Sequence, residues 1–176
     1  FKFDDSRTLL ENVNFNVLPG TKVCIMGDGG SGKSILLELI GGTLKNFDGV
    51  INVNNIPINN IDQREYRKNI GIFYNEQDIF DGTIYENICM GNTDISPDDI
   101  MKYAEMLEIK EFISQLPEGL STKLQPTGKG LSTIIAKKIL LLRAIAHQPE
   151  LLVLDEPFEL AGAESSKKIS KYLIDI

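Results

Sequence analysis

The sequence predicts an α/β fold with a mostly parallel core sheet, an antiparallel β hairpin and a helical lobe. Three observations predict it. Residues 21–26 (TKVCIM) and 151–154 (LLVL) are short apolar runs suited to buried strands. Residues 49–62 (GVINVNNIPINNID) carry Val50, Ile51, Val53, Ile56 and Ile58 around Asn54-Asn55, a pair that tolerates the positive φ of a tight hairpin. A helix-forming stretch with its own start signals lies between the hairpin and the second apolar run. Strands separated by helices point to a layered α/β sheet.

In chain order, residues 21–26 end at a glycine, as a buried strand entering a loop does. Residues 34–40 (SILLELI) read as an apolar helix stopped by Gly41-Gly42. The Asn-rich hairpin is turn chemistry with no ligand role. Further on, Ser96 is a natural N-cap, Pro97 fits the first helical position, and Asp98 and Asp99 complement the helix dipole. Ile100, Ala104 and Leu107 recur at helical spacing, which means core packing. Residues 151–154 are apolar at every position, as strands buried on both faces are.

The chain has 176 residues, 42% hydrophobic and 24% charged, with 15 glycines and no tryptophan. That is one ordinary domain, and it excludes a disordered, collagenous or disulfide-dense protein. A net charge of −7 argues against nucleic acid as a partner, which asks for a basic face. A small anion remains open, because a phosphate site can be built from backbone N–H groups. Cys24 and Cys89 stand in unrelated contexts and read as reduced, mostly buried thiols. No secretory signal opens the sequence, and the missing initiator methionine hints at a piece of something longer. No apolar run approaches the roughly 20 residues of a membrane span; the longest, around residues 139–142, stops at Arg143.

The strongest signal is Gly27-Asp28-Gly29-Gly30-Ser31-Gly32-Lys33-Ser34, a complete GxxxxGK[ST] phosphate loop between an apolar run and an apolar helix. Glycines let the backbone curl until successive N–H groups face inward, and the following helix adds its positive end. Lys33 is placed to reach the β- and γ-phosphates, and the Ser34 hydroxyl to ligate magnesium. Such a loop needs a second, acidic strand, and residues 151–154 followed by Asp155-Glu156 supply it. Asp155 can hold the metal, directly or through water, and Glu156 can orient or deprotonate an attacking water. A carboxylate pair after a strand can also merely cap the next helix; the phosphate loop upstream makes that the weaker alternative. These features predict the fold of a P-loop NTPase.

With these residues in place, the chain resembles the nucleotide-binding domains of ABC transporters, the exporter type above all. Four segments carry the resemblance: the phosphate loop, residues 70–91 (IGIFYNEQDIFDGTIYENICMG), Leu116-Pro117-Glu118-Gly119, and residues 131–157 (LSTIIAKKILLLRAIAHQPELLVLDEP). The last matches without a gap the family stretch from the LSGGQ signature to the Walker B strand. The resemblance implies that residues 1–176 are an ATP-binding domain, with a helical subdomain at about 92–145. It implies ATP and Mg2+ as ligands, and a membrane domain, fused or separate, as partner. It implies a second ATP-binding domain as well, of the same or a different chain, whose signature closes over the nucleotide. The chain, itself soluble, would then work at the cytoplasmic face of a membrane as part of a transporter. Against the family it stops short of a further C-terminal strand and of the histidine beyond Walker B, so it is expected to be incomplete there.

By position, Phe3 falls where the family stacks an aromatic ring on adenine, with Phe1 as rival and an N-terminal core role as the alternative. Ile35 stands where a hydroxyl usually touches the α-phosphate, leaving its backbone N–H to contribute. Asn75 takes the place of the glutamine that links magnesium and water to the helical lobe; Gln77, two residues on, is a possible substitute. In the signature Leu131 and Ser132 survive, while Thr133, Ile134 and Ile135 replace Gly-Gly-Gln. β-branched side chains there should keep the backbone from closing on a partner's γ-phosphate. Pro126 replaces a glutamate that faces the membrane domain, and Gly162 replaces an aspartate that supports the opposite site. His147, the one histidine, lies before Walker B and reads as a surface loop residue.

Two functions compete. One is the ATPase domain of an exporter, asymmetric because an intact Glu156 accompanies a ruined signature. The other is a regulatory module that binds nucleotide with little or no hydrolysis.

Overall fold

In the computed structural model residues 9–157 and 163–175 are described. Phe3 and residues 159–162 lie outside them. The chain divides after Tyr66 into two compact units.

In the first unit, helix α1 (Lys33–Ile40) starts directly from the phosphate loop and stops at the two glycines, where the Gly41 N–H donates to the carbonyl of Leu37. The hairpin forms as expected. β1 (Asn52–Val53) pairs antiparallel with β2 (Ile56–Pro57), in the register Asn52 to Pro57 and Val53 to Ile56. Asn54 and Asn55 turn it with φ of 49° and 65°, the pair of positive values that matches strand twist. Asp62 caps α2 (Gln63–Asn69), its carboxylate accepting from the N–H groups of Arg64 and Glu65 at 2.8 and 3.1 Å. α2 returns a favour to α1: the Tyr66 hydroxyl donates to the Ile40 carbonyl at 2.6 Å, satisfying one of the helix-end acceptors. Leu39, Ile58 and Tyr66 are buried.

Residues 21–26 depart from expectation. They form no ladder with any strand among the described residues, and Val23 and Met26 are 56% and 86% exposed. Apolar alternation alone does not bury a run; burial needs neighbouring strands to pair with. Cys24 is correspondingly exposed rather than buried, while Cys89 is buried as expected.

In the second unit, β3 (Ile70–Phe73) and β6 (Leu151–Leu154) make the parallel pair, in register from Ile70 with Leu151 to Phe73 with Leu154. Val153 is buried and its strand neighbours are half-buried, so β6 is less enclosed than its composition suggests. A second antiparallel pair joins β4 (Gly82–Thr83) to β5 (Lys123–Leu124). Thr83 and Glu86 form a reciprocal capping box at the start of α3 (Ile84–Cys89). Those hydrogen bonds from Thr83 hold the Glu86 carboxyl below its usual range.

α4 (Pro97–Met106) begins as its sequence indicates. The Ser96 hydroxyl accepts from the Asp99 N–H at 3.1 Å, Pro97 opens the first turn, and Ile100, Ala104 and Leu107 are fully buried. α5 (Lys110–Gln115) follows, then α6 (Thr133–Ile145) and, after β6, α7 (Ala163–Asp175). Ile139, Leu141 and Leu142 of α6 lie at the centre of the core, with Ile84 and Ile88 of α3 and Ile169 of α7 in the same cluster. No helix among the described residues is long and apolar enough to cross a membrane.

Candidate functional site

The phosphate loop lies wholly in the first unit. Gly30 and Gly32 take φ of 74° and 91°, left-handed values that turn the chain back on itself before α1. A Cβ on Gly32 would come within 2.9 Å of the Leu10 side chain, and one on Gly27 within 2.8 Å of the Ser31 hydroxyl oxygen. The loop is closed by the Ser31 N–H on the Asp28 carbonyl, and α1 starts with the Leu36 N–H on Gly32. Lys33 folds over it: Nζ donates to the carbonyls of Gly27 and Asp28 at 2.8 and 2.9 Å. The product is a curled backbone with an ammonium at its mouth and an eight-residue helix behind it, a cradle for an anion. Ser34, in the first turn of α1, is exposed and Ile35 half-buried.

The acidic residues lie in the second unit, at the carboxyl ends of its two parallel strands, where α/β folds place their ligands. The Asp155 N–H donates to the Phe73 carbonyl at 2.8 Å, extending the parallel ladder by one rung. Asp155 is 8% exposed, and its carboxylate has no hydrogen bond or ion pair to another described residue. Glu156 leaves the strand with φ of 50° and an exposed side chain; a glutamate held left-handed is strained, a feature that collects at functional sites. Asn75, two residues past Phe73, is exposed in the turn that follows β3. Gln77 differs from it: its Oε1 is buried without a hydrogen-bond partner among the described residues.

Ser132 is the N-cap of α6, its hydroxyl accepting from the Ile135 N–H at 3.2 Å. Thr133, Ile134 and Ile135 therefore build the first helical turn, and Ile134 is 47% exposed. The turn ahead of it, Pro126–Gly128, is tied to the segment after Asn75 by the Thr127 N–H on the Ile79 carbonyl at 2.8 Å. His147 is not on the surface as expected; it is half-buried, with Nε2 3.3 Å from the Ile70 carbonyl oxygen at the start of β3. The structure thus gathers Asp155, Glu156 and the segment leading to Asn75 at one strand end, and Gly27 to Ser34 in one loop.

Sequence reasoning missed Asn87 and Arg143. Asn87 is fully buried; it donates to the carbonyls of Phe80 and Thr83 and accepts from the Phe80 N–H. Arg143 of α6 donates through Nε to the Asn87 carbonyl at 2.7 Å and through Nη2 to its side-chain oxygen at 3.0 Å. Its guanidinium also lies 5.7 Å from the Phe80 ring centre, and burial pushes its pKa down. Together they pin residues 78–83, the continuation of the Asn75 turn, to α6. A signal existed: Arg143 interrupts an otherwise apolar run on a core-facing helix. Asn87→Ala would keep the Arg143 bond to the backbone carbonyl but remove the one to the side-chain oxygen, and would leave the Phe80 N–H and carbonyl without their side-chain partner. Urea unfolding should show a loss of about 2–4 kcal/mol.

Comparison with known proteins decides the family. A family model described as ABC transporter matches residues 10–159. The chain belongs to the ABC transporter family. It is 32% identical, over 98% of its length, to the uncharacterized ABC transporter ATP-binding protein YknV of Bacillus subtilis (strain 168), covering 29% of that protein. It is 29% identical over its whole length to the β-(1→2)glucan export ATP-binding/permease protein NdvA of Rhodopseudomonas palustris, again covering 29%. Among solved structures, a bacterial Atm1-family ABC exporter with ATP bound matches all of the chain at a TM-score of 0.90 and 26% identity, over 31% of that exporter. The chain therefore spans less than a third of the length of these relatives. The chain shares the P-loop NTPase fold, and the relatives named here include an export protein and an exporter of that family.

Proposed function

We propose that this ABC domain binds Mg-ATP through its phosphate loop. We further propose that it hydrolyses the nucleotide at a useful rate only when a second ATP-binding domain brings an intact signature. The carrying observation is the loop itself, curled by Gly30 and Gly32 with the Lys33 ammonium seated at its mouth. In this reading Lys33 and the N–H groups of residues 27–35 hold the phosphates, and Phe3 stacks on adenine. By likeness to the family, the Ser34 hydroxyl of the first unit and the Asp155 carboxylate and Asn75 amide oxygen of the second are the groups that would hold the metal. The donor set suits magnesium, a hard cation that prefers oxygen and takes most of its shell from water and phosphate. Held by these groups, the ion would supply positive charge against the phosphate oxygens.

Glu156 accepts a proton from the water that attacks the γ-phosphorus, as the bond to the β–γ bridging oxygen breaks and ADP leaves. Its exposed position just past β6 leaves it free to face that water. The chain's own signature is the weak partner: β-branched Thr133 and Ile134 occupy the first turn of α6, where close backbone approach to a γ-phosphate needs glycine. Ser132 accepts the Ile135 N–H at its hydroxyl oxygen, which leaves its O–H able to donate to a phosphate, so the loss lies in the residues that follow it. An intact Glu156 beside that signature favours an asymmetric pair of different chains.

In the assembly we propose, the helical subdomain is residues at about 92–145, and the partner that turns hydrolysis into export is a membrane domain, as in the ATP-binding/permease relative. The work is then done at the cytoplasmic face of the membrane. Purified alone, the chain is expected to bind Mg-ATP and release phosphate slowly, without cooperativity in ATP. Brisk, cooperative release from the isolated chain would sink the asymmetric reading. The damaged signature also favours a second reading, a nucleotide-sensing module without hydrolysis; Glu156 is the residue that separates the two.

A further inference from the structure

Three elements of the second unit meet at one carboxylate. Glu108, between α4 and α5, accepts through Oε1 from Lys168 Nζ of α7 at 3.1 Å. Its other oxygen, Oε2, lies 3.9 Å from Lys138 Nζ of α6. Lys138 is only 5% exposed, and burial pushes its ammonium below the usual lysine range while Glu108 draws it back up. Removing the carboxylate would leave a buried cation with weaker compensation.

The backbone at Glu108 disfavours this residue. α4 ends with the Ile109 N–H on the Ala104 carbonyl at 2.9 Å and the Glu108 N–H on Glu105 at 3.0 Å, which puts Glu108 at the left-handed position of the helix stop. Its φ is 56°, where glycine or asparagine is at ease and glutamate is strained. A local rule broken without local gain points to a use for the side chain.

The helices it joins explain that use. α6 begins at Ser132, in the altered signature, and α7 follows Asp155-Glu156 after a short connection. Ile169 and Leu173 seat α7 in the shared core, and Lys168 adds the polar tie. We propose that Glu108 is a positioning residue, a latch that fixes α7 to α6 so that α7 and the signature end of α6 respond to bound nucleotide as one body. This rests on the reading that the chain binds Mg-ATP.

Amide hydrogen exchange across residues 166–174, with and without Mg-ATP, tests it on wild type, Glu108→Asn and Lys168→Met. Asparagine suits the left-handed position, which offsets part of the cost of leaving Lys138 without its carboxylate; Lys168→Met removes only the α7 contact and keeps the Glu108–Lys138 pair. Both variants should exchange about tenfold faster in α7 than wild type, with α3 unchanged. In wild type Mg-ATP should slow exchange in α7; in the variants that response should vanish while Mg-ATP affinity, measured separately, stays within about threefold. Wild-type exchange and nucleotide response in both variants would overturn the latch alone, as would an even loss of protection throughout the second unit. Failure of the wild type to bind Mg-ATP in the separate titration would overturn the nucleotide reading, and the latch with it.

Discussion

Glu156→Gln is expected to cut ATP turnover by about 10²–10⁴-fold, measured as phosphate release with a partner domain that supplies an intact signature. Glutamine keeps the size and hydrogen-bonding reach of glutamate and cannot take the proton from water. The substitution is made at an exposed residue just beyond β6, so the core is untouched. Mg-ATP affinity should stay within about threefold, because a group acting only on the attacking water contributes to the transition state and little to ground-state binding. If turnover is unchanged, hydrolysis does not depend on this carboxylate, and the nucleotide-sensing alternative takes its place.

Lys33→Ala should weaken Mg-ATP binding by about 30- to 1,000-fold, the equivalent of losing about 2–4 kcal/mol of charge-assisted hydrogen bonding. The ammonium is held by the carbonyls of Gly27 and Asp28, where phosphate oxygens would replace or join them. Equilibrium titration with a fluorescent ATP analogue checks the loss. Lys33→Arg should not restore affinity fully, since a planar fork does not fit a cradle shaped around a compact point charge. Unfolding of the variant should match wild type, because Lys33 is only partly buried and makes these two contacts at the loop surface.

What was legible in the sequence is what consecutive residues decide among themselves. The phosphate loop puts its glycines, lysine and serine within one turn-and-helix unit, so motif and geometry coincide. The Asn54-Asn55 turn and the Ser96-Pro97 start of α4 are equally local, and both form as expected. Pairing between distant segments was less visible. The β3–β6 ladder and the hydrogen bond from Asp155 to Phe73 join residues some eighty positions apart in sequence. Arg143 and Asn87 were missed for the same reason, since neither neighbourhood names the other. Residues 21–26 are the opposite case: their composition is strand-like, but burial depends on neighbours the run itself does not specify. The Thr133 and Ile134 substitutions were legible as a departure, and their place in the first turn of α6 adds the physical content, a helix start capped by Ser132.

The asymmetry of the site is tested most directly by mixing. Phosphate release is followed while this chain is titrated with a second ATP-binding domain that has an intact LSGGQ signature and a glutamine in place of its own catalytic glutamate. Release is expected to be slow for either chain alone and to rise about tenfold or more on mixing, saturating with the partner and vanishing with Glu156→Gln in this chain. Rapid cooperative release from this chain alone, or no rise at any partner concentration, would contradict it.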